Sequence, residues 1–297
     1  MMSEEIWTIG RILKWTEQYF GRKGVESPRL DAEVLLSHVL GKARIYLYVH
    51  FDEPLEKKEL AAYRELVRKR VQRVPVAYLV GSREFMGLDF RVSTATLVPR
   101  PDTEILVQAA LERLKKIPGT EGGAVRFADI GTGTGAICLS VLHFLPGAEA
   151  VTVDISPEAL AVARENAEAL GLSERIAFFE GDLLEPVKGQ RFHAILSNPP
   201  YIPDGDIAGL APEVKGNEPM TALAGGRDGL DFYRRLCREA PSLLEPGGFL
   251  AFEVGIRQAE AVAGMAKEHV LIGWTEILKD LSGIERVVVA WREDGAK

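Results

Sequence analysis

From residue 125 onward, short runs rich in apolar and β-branched residues alternate with stretches of helical periodicity. Strand candidates fall at 126–129, 150–154, 176–180, 194–197, 249–253, 274–279 and 286–291, and helix candidates at 135–144, 157–170, 230–244 and 258–267. Near-continuous apolar strands interleaved with helices need cover on both faces. The pattern therefore predicts a doubly wound, mostly parallel α/β sheet. In such sheets ligands bind beyond the carboxyl ends of the strands. The residues that follow each strand are accordingly where chemistry is expected.

After the first strand comes Asp129-Ile130-Gly131-Thr132-Gly133-Thr134-Gly135. Glycines at a strand-to-helix junction let the backbone turn sharply and approach a ligand closely. The second strand ends in Asp154, placed to accept hydrogen bonds from ribose hydroxyls. The third is followed by Glu180-Gly181-Asp182-Leu183, where Asp182 can accept from an adenine amino group. A dinucleotide-binding enzyme would share Asp154, but the glycine spacing is G-T-G-T-G rather than G-x-G-x-x-G. Acids after three successive strands, with no phosphate to hold, suit S-adenosyl-L-methionine better than a pyrophosphate. Asp129 or Asp182 taken alone reads equally well as a helix or turn cap.

The fourth strand closes on Asn198-Pro199-Pro200-Tyr201. The Asn198 side-chain oxygen and a proline carbonyl can accept the two N–H protons of a planar amide or amine, orienting it for attack. The prolines stiffen that geometry. Tyr201 can stack on the planar group or face developing positive charge. The tetrapeptide implies methyl transfer to an amide or an exocyclic amine. A Pro-Pro turn with a packing tyrosine is the bland alternative.

Upstream, residues 1–73 read as a small helical domain, with helices at 7–20, 30–40 and 56–73 and Ser27 as N-cap before Pro28. Residues 74–98 read as a β-hairpin linker, and 99–297 as the catalytic domain. The basic run at 64–73 reads as a solvated helix face, or else a contact for RNA or a partner protein. Residues 118–123 read as a loop, and 218–223, within a long Gly/Pro-rich excursion at 202–229, as a wall of the substrate channel.

A chain of 297 residues suits about two domains. Its net charge of −7 disfavours non-specific binding of nucleic acid, which rests on neutralising phosphates. Cys138 and Cys237 sit in apolar helical contexts away from any metal-like spacing and read as buried thiols in a reducing, cytoplasmic setting. Residues 1–5 are acidic and lack the order of a signal peptide, and no apolar run approaches a membrane span. The five histidines are scattered, so no metal site is expected.

Together these residues resemble the peptide chain release factor glutamine N5-methyltransferase family (HemK/PrmC), along nearly the whole chain. The matching segments include Ser27-Pro28-Arg29-Leu30-Asp31-Ala32-Glu33, Pro75-Val76-Ala77-Tyr78-Leu79, Leu97-Val98-Pro99-Arg100-Pro101-Asp102-Thr103-Glu104, the glycine loop, Asn198-Pro199-Pro200-Tyr201, Glu218-Pro219 and Asp280-Leu281-Ser282-Gly283. The resemblance implies a seven-stranded, Rossmann-like class I methyltransferase sheet, an all-helical N-terminal domain and a β-hairpin linker. It implies that Gly131, Thr132, Gly133, Thr134, Gly135 and Asp154 bind S-adenosyl-L-methionine. It implies too that Asn198, Pro199, Pro200 and Tyr201 hold the glutamine of a GGQ loop in class I peptide chain release factors. Arg100 and Glu104 match the segment that closes over the site, and the helical domain would recognise the release factor. Leu183 and Asn217 stand where many members carry an aromatic residue. The alternatives are a DNA adenine or RNA guanine N-methyltransferase, a glutamine methyltransferase of a ribosomal protein, and a non-catalytic S-adenosyl-L-methionine-binding adaptor. No direct nucleic-acid substrate is expected.

Overall fold

The computed structural model describes residues 6–117 and 125–293; the acidic start at 1–5 and the expected loop at 118–123 lie outside them. The chain divides into two compact units, Met1–Gly81 with Ala211–Asn217, and Ser82–Leu210 with Glu218–Lys297.

The first unit contains α1 (Ile9–Arg22), α2 (Pro28–Leu40), α3 (Arg44–Val49), α4 (Lys57–Val71) and α5 (Val76–Val80). In α1 the apolar stripe Ile9, Ile12, Leu13 and Phe20 is buried, and the Thr8 side chain accepts from the Arg11 backbone N–H at 3.4 Å. Pro28 opens α2 as expected, but the Ser27 side chain makes no capping bond. A reciprocal capping box between Glu56 and Glu59 starts α4. Its basic end is not a simply solvated face. Arg70 is 6% exposed and pairs with Asp31 at 2.7 Å and Glu213 at 3.0 Å, and Arg73 pairs with Glu213 at 3.1 Å. The apolar residues 76–80, expected in a hairpin linker, form the short helix α5, stopped by Gly81 in the left-handed conformation.

The second unit begins with the hairpin β1 (Ser82–Phe85) and β2 (Leu88–Arg91), whose Phe85 and Phe90 rings meet edge to face at 6.1 Å in the core. Then follow α6 (Glu104–Leu114), β3 (Val125–Ile130), α7 (Ala136–Phe144), β4 (Ala148–Asp154), α8 (Pro157–Ala169), β5 (Ile176–Glu180) and β6 (Phe192–Ser197). After α9 (Pro212–Lys215), which belongs to the first unit, come α10 (Asp231–Glu239), β7 (Leu244–Glu253), α11 (Ala259–Lys267), β8 (Ile272–Lys279) and β9 (Glu285–Arg292).

The seven strands are ordered β5-β4-β3-β6-β7-β9-β8. The five strands β3 to β7 run parallel, while β9 pairs antiparallel with both β7 and β8. One face packs against α6 and α7 through Leu106, Val107, Leu139 and Leu142, and the other against α10 and α11 through Tyr233, Leu236 and Val262. Two covered faces explain why the central strands are apolar along their whole length. The chain leaves β3 toward β4 and β5, then returns to β6 on the other flank of β3. This reversal opens a crevice beyond the carboxyl ends of β3 and β6. Cys138 and Cys237 are both buried and free.

Candidate active site

The strand register brings the site together. Phe179, Val153, Ile130, Ser197 and Phe252 form one row across β5, β4, β3, β6 and β7. The residues immediately beyond that row are Glu180, Asp154, Gly131, Asn198 and Glu253. Asp154, the glycine loop and the tetrapeptide therefore leave the sheet side by side. The Ser197 hydroxyl locks the β3–β6 junction by donating to the Ile130 carbonyl at 2.6 Å.

A cleft of about 450 Å³ lies above this edge, lined among others by Gly131, Thr132, Gly133, Thr134, Asp154, Asp182, Leu183, Asn198, Pro200 and Arg100. Gly131 and Gly133 have φ of +78° and +55°, and a Cβ on either would meet no protein atom within 4 Å. Bare backbone thus faces the cleft. The Asp154 carboxylate accepts from the Gly133 N–H at 2.8 Å and the Ser156 N–H at 3.0 Å. Fixed in this way, it has lone pairs left for a ligand. Leu183 turns through φ of +51° into the cleft wall. The Asp182 carboxylate lines the cleft too, but the Arg235 guanidinium grips both its oxygens, at 3.0 and 2.7 Å.

Asp129 stands apart from the cleft lining. It is fully buried under the glycine loop, where it accepts from the Thr132 hydroxyl at 3.0 Å, and burial pushes its carboxyl up to about 6. Gly135 serves as the turn before α7; its φ is +81° and a Cβ there would press to 2.9 Å from Leu139. Asn166 joins the loop to the hairpin, donating to the Thr134 and Arg91 carbonyls at 2.9 and 3.1 Å and accepting from the Arg91 N–H at 2.7 Å.

The tetrapeptide is held from behind. Pro199 is buried, and the Tyr201 ring packs on the core beside α10 and α11, with its hydroxyl 3.5 Å from Glu253. Tyr201 is therefore not in the cleft wall, where stacking on a planar group would need it. The long excursion returns to tie the turn down: Ile202 N–H donates to the Leu223 carbonyl at 3.0 Å and Gly225 N–H to the Ile202 carbonyl at 2.8 Å. Gln258 Nε2 donates to the Tyr201 carbonyl at 2.9 Å.

Arg100 lines the cleft and grips both oxygens of Glu218, at 2.6 and 2.7 Å; burial still holds the Glu218 carboxyl above its ordinary range. The pair anchors Pro219, Met220, Thr221 and Ala222 of the 218–223 stretch, which line the cleft. Glu104 does not reach the cleft. Its carboxylate accepts from the Met86 N–H at 2.9 Å and fixes the hairpin turn, where Met86 has φ of +53°. Phe232 and Thr103 stand in the cleft wall. Phe232, and Gln258 and Glu253 behind the tetrapeptide, were not singled out from sequence, and Thr103 was read there only as part of the 97–104 segment ahead of a helix. The one available signal was Glu253, an acid closing the apolar run at 249–252.

Two family models match the chain, the PrmC N-terminal domain over residues 11–81 and the Methyltransferase small domain over residues 103–210. A release factor glutamine methyltransferase from Geobacter sulfurreducens is 48% identical over 286 residues, covering 96% of each chain. One from Moorella thermoacetica is 43% identical and covers 91% of this chain and 94% of its own. The chain belongs to the release factor glutamine methyltransferase family. Solved structures share the fold. A methyltransferase from Pyrococcus furiosus superposes with a TM-score of 0.52 at 20% identity, over 76% of this chain and 98% of its own. The hMettl16 catalytic domain in complex with MAT2A 3'UTR hairpin 6 gives 0.57 at 15%, over 78% and 84%. In this chain the cleft described above occupies the crevice where the topology reverses.

Proposed function

We propose that this chain transfers a methyl group from S-adenosyl-L-methionine to the side-chain amide nitrogen, N5, of the glutamine in the GGQ motif of class I release factors. The juxtaposition of Gly131, Asp154 and Asn198 in one row at the cleft carries the reading, with family membership beside it. The residues present suit the cofactor. Bare backbone at Gly131 and Gly133 lets a nucleoside lie close, and the fixed Asp154 carboxylate suits ribose hydroxyls. When bound, the cofactor would supply an electrophilic methyl group on a sulfonium.

Asn198 Oδ1 and a carbonyl of the Pro-Pro turn accept the two amide N–H groups, holding the nitrogen toward that methyl group. Tyr201 acts here by backing the turn. No general base is needed beforehand, because the proton leaves after transfer, when the nitrogen is far more acidic. The helical unit supplies recognition of the release factor in the cytoplasm, and nucleic acid is not a substrate.

Incubation with methyl-labelled S-adenosyl-L-methionine and a purified release factor tests this. The expected result is label on the wild-type factor and none on a variant with the GGQ glutamine changed to alanine. Equal labelling of the two would overturn the proposal, and label in added RNA or DNA would redirect it to an exocyclic base amine.

A further inference from the structure

Glu253 ends β7 beside Asn198, 2% exposed, and no donor is aligned on its Oε2. The polar groups of Thr103 and Asn198 stand close enough to favour its charged form, and the Tyr201 hydroxyl lies 3.5 Å from its Oε1. Asn198 Nδ2 donates in turn to Thr103 Oγ1 at 3.3 Å. A carboxylate can only accept. While Glu253 is charged, the single Thr103 hydroxyl proton is drawn to it, so Thr103 Oγ1 must accept from Asn198. That bond consumes an N–H of the Asn198 amide and leaves Oδ1 free. A protonated Glu253 can instead donate to Thr103, releasing the hydroxyl proton toward Asn198 Oδ1. The amide would then turn over and present its NH2 to the cleft, where it repels a substrate NH2.

We propose that Glu253 is a positioning residue that sets, through Thr103, which end of the Asn198 amide faces the substrate. The assignment rests on the reading of Asn198 as the acceptor for the glutamine amide.

The groups around Glu253 are Asp102 and Thr103 ahead of α6, Asn198 and Tyr201 after β6, Tyr233 from α10 and Arg286 from β9. Arg286 is already engaged by Asp102 at 2.9 Å and Asp280 at 3.0 Å. Burial raises both phenols, so Tyr201 and Tyr233 stay neutral across the working range. Burial pushes Glu253 up to about 7. Asp129, also raised by burial, lies under the glycine loop with Thr132.

The test measures kcat, KM for the release factor and affinity for S-adenosyl-L-methionine between pH 5.5 and 9 on the full chain. Wild type, Glu253→Gln, Thr103→Val, Thr103→Ser and Asn198→Ala are compared. Wild-type kcat should fall on acidification through a group titrating near neutrality. Glu253→Gln should lower kcat about tenfold at high pH, leave cofactor affinity unchanged and abolish the acid limb. Thr103→Ser, which keeps the hydroxyl, should stay within a few-fold of wild type, while Thr103→Val loses about tenfold or more. An acid limb that persists in Glu253→Gln, which would then belong to Asp129 or the substrate, overturns the relay. Equal activity of Thr103→Val and Thr103→Ser does the same. Undiminished turnover by Asn198→Ala would remove the underlying reading instead.

Discussion

Asn198 and Glu253 are neighbours in the same sheet row, yet their substitutions should separate chemistry from stability. Replacing Asn198 by alanine should lower kcat by about 10²- to 10³-fold, the usual cost of deleting one preorganised polar contact to a reacting group. Affinity for S-adenosyl-L-methionine, read by calorimetry, should change by less than about twofold, because the cofactor contacts proposed for Asp154 and the glycine loop are untouched. Glu253 carries the opposite signature. Burial moves its carboxyl from 4.5 to about 7, so folding binds a proton that the unfolded chain would release between those values. Stability therefore falls as pH rises through that window, by an amount on the order of 3 kcal/mol. The neutral isostere in Glu253→Gln has no such cost. Its denaturation midpoint should match wild type near pH 4.5 and exceed it at pH 8, while turnover declines. A Gln variant less stable at pH 8 would mean that the carboxylate is a net structural anchor.

Among the elements, the connection after β6 decides whether the tetrapeptide is rigid. Gly229 has φ of +77°, and a Cβ there would come to 2.3 Å from the Tyr201 carbonyl and 2.6 Å from Gln258 Nε2. Gly229→Ala should therefore cost about 1–3 kcal/mol by urea unfolding, through backbone strain and displacement of the turn, and should reduce kcat. Gly264, in α11 with nothing within 4 Å of its Cβ position, is the control. Gly264→Ala should be neutral or stabilising by about 0.5–1 kcal/mol, with turnover unchanged. The Arg100–Glu218 pair has a related role. It fixes the start of the segment that lines the cleft, which is why a charged pair is tolerated where Glu218 is buried.

On the scale of the whole molecule, the excursion between β6 and α10 serves both units, since its residues Ala211–Asn217 complete the helical one. Glu213 there is a partner of the buried Arg70, so Glu213→Ala leaves that guanidinium with Asp31 alone. It should destabilise the helical unit by about 1–3 kcal/mol, seen as faster hydrogen exchange in α2 and α4, with cofactor affinity unchanged. None of this was legible in sequence, where residues 64–73 read as a basic face and 211–217 as part of a long loop. The α/β architecture, the glycine loop, Asp154 and Asn198 were legible, because each is a local pattern: apolar period, glycine at a strand end, an acid or amide one residue past a strand. Sequence alone thus determined the fold class and the reaction class. Tertiary structure decided which side chains face the cleft and which brace it. It moved Asp129 and Glu104 to supporting posts, turned Tyr201 toward Glu253, set Glu253 behind Asn198 and put Thr103 beside it in the cleft wall. Those placements depend on strand register and on loops closing over more than a hundred residues, which no local spacing encodes.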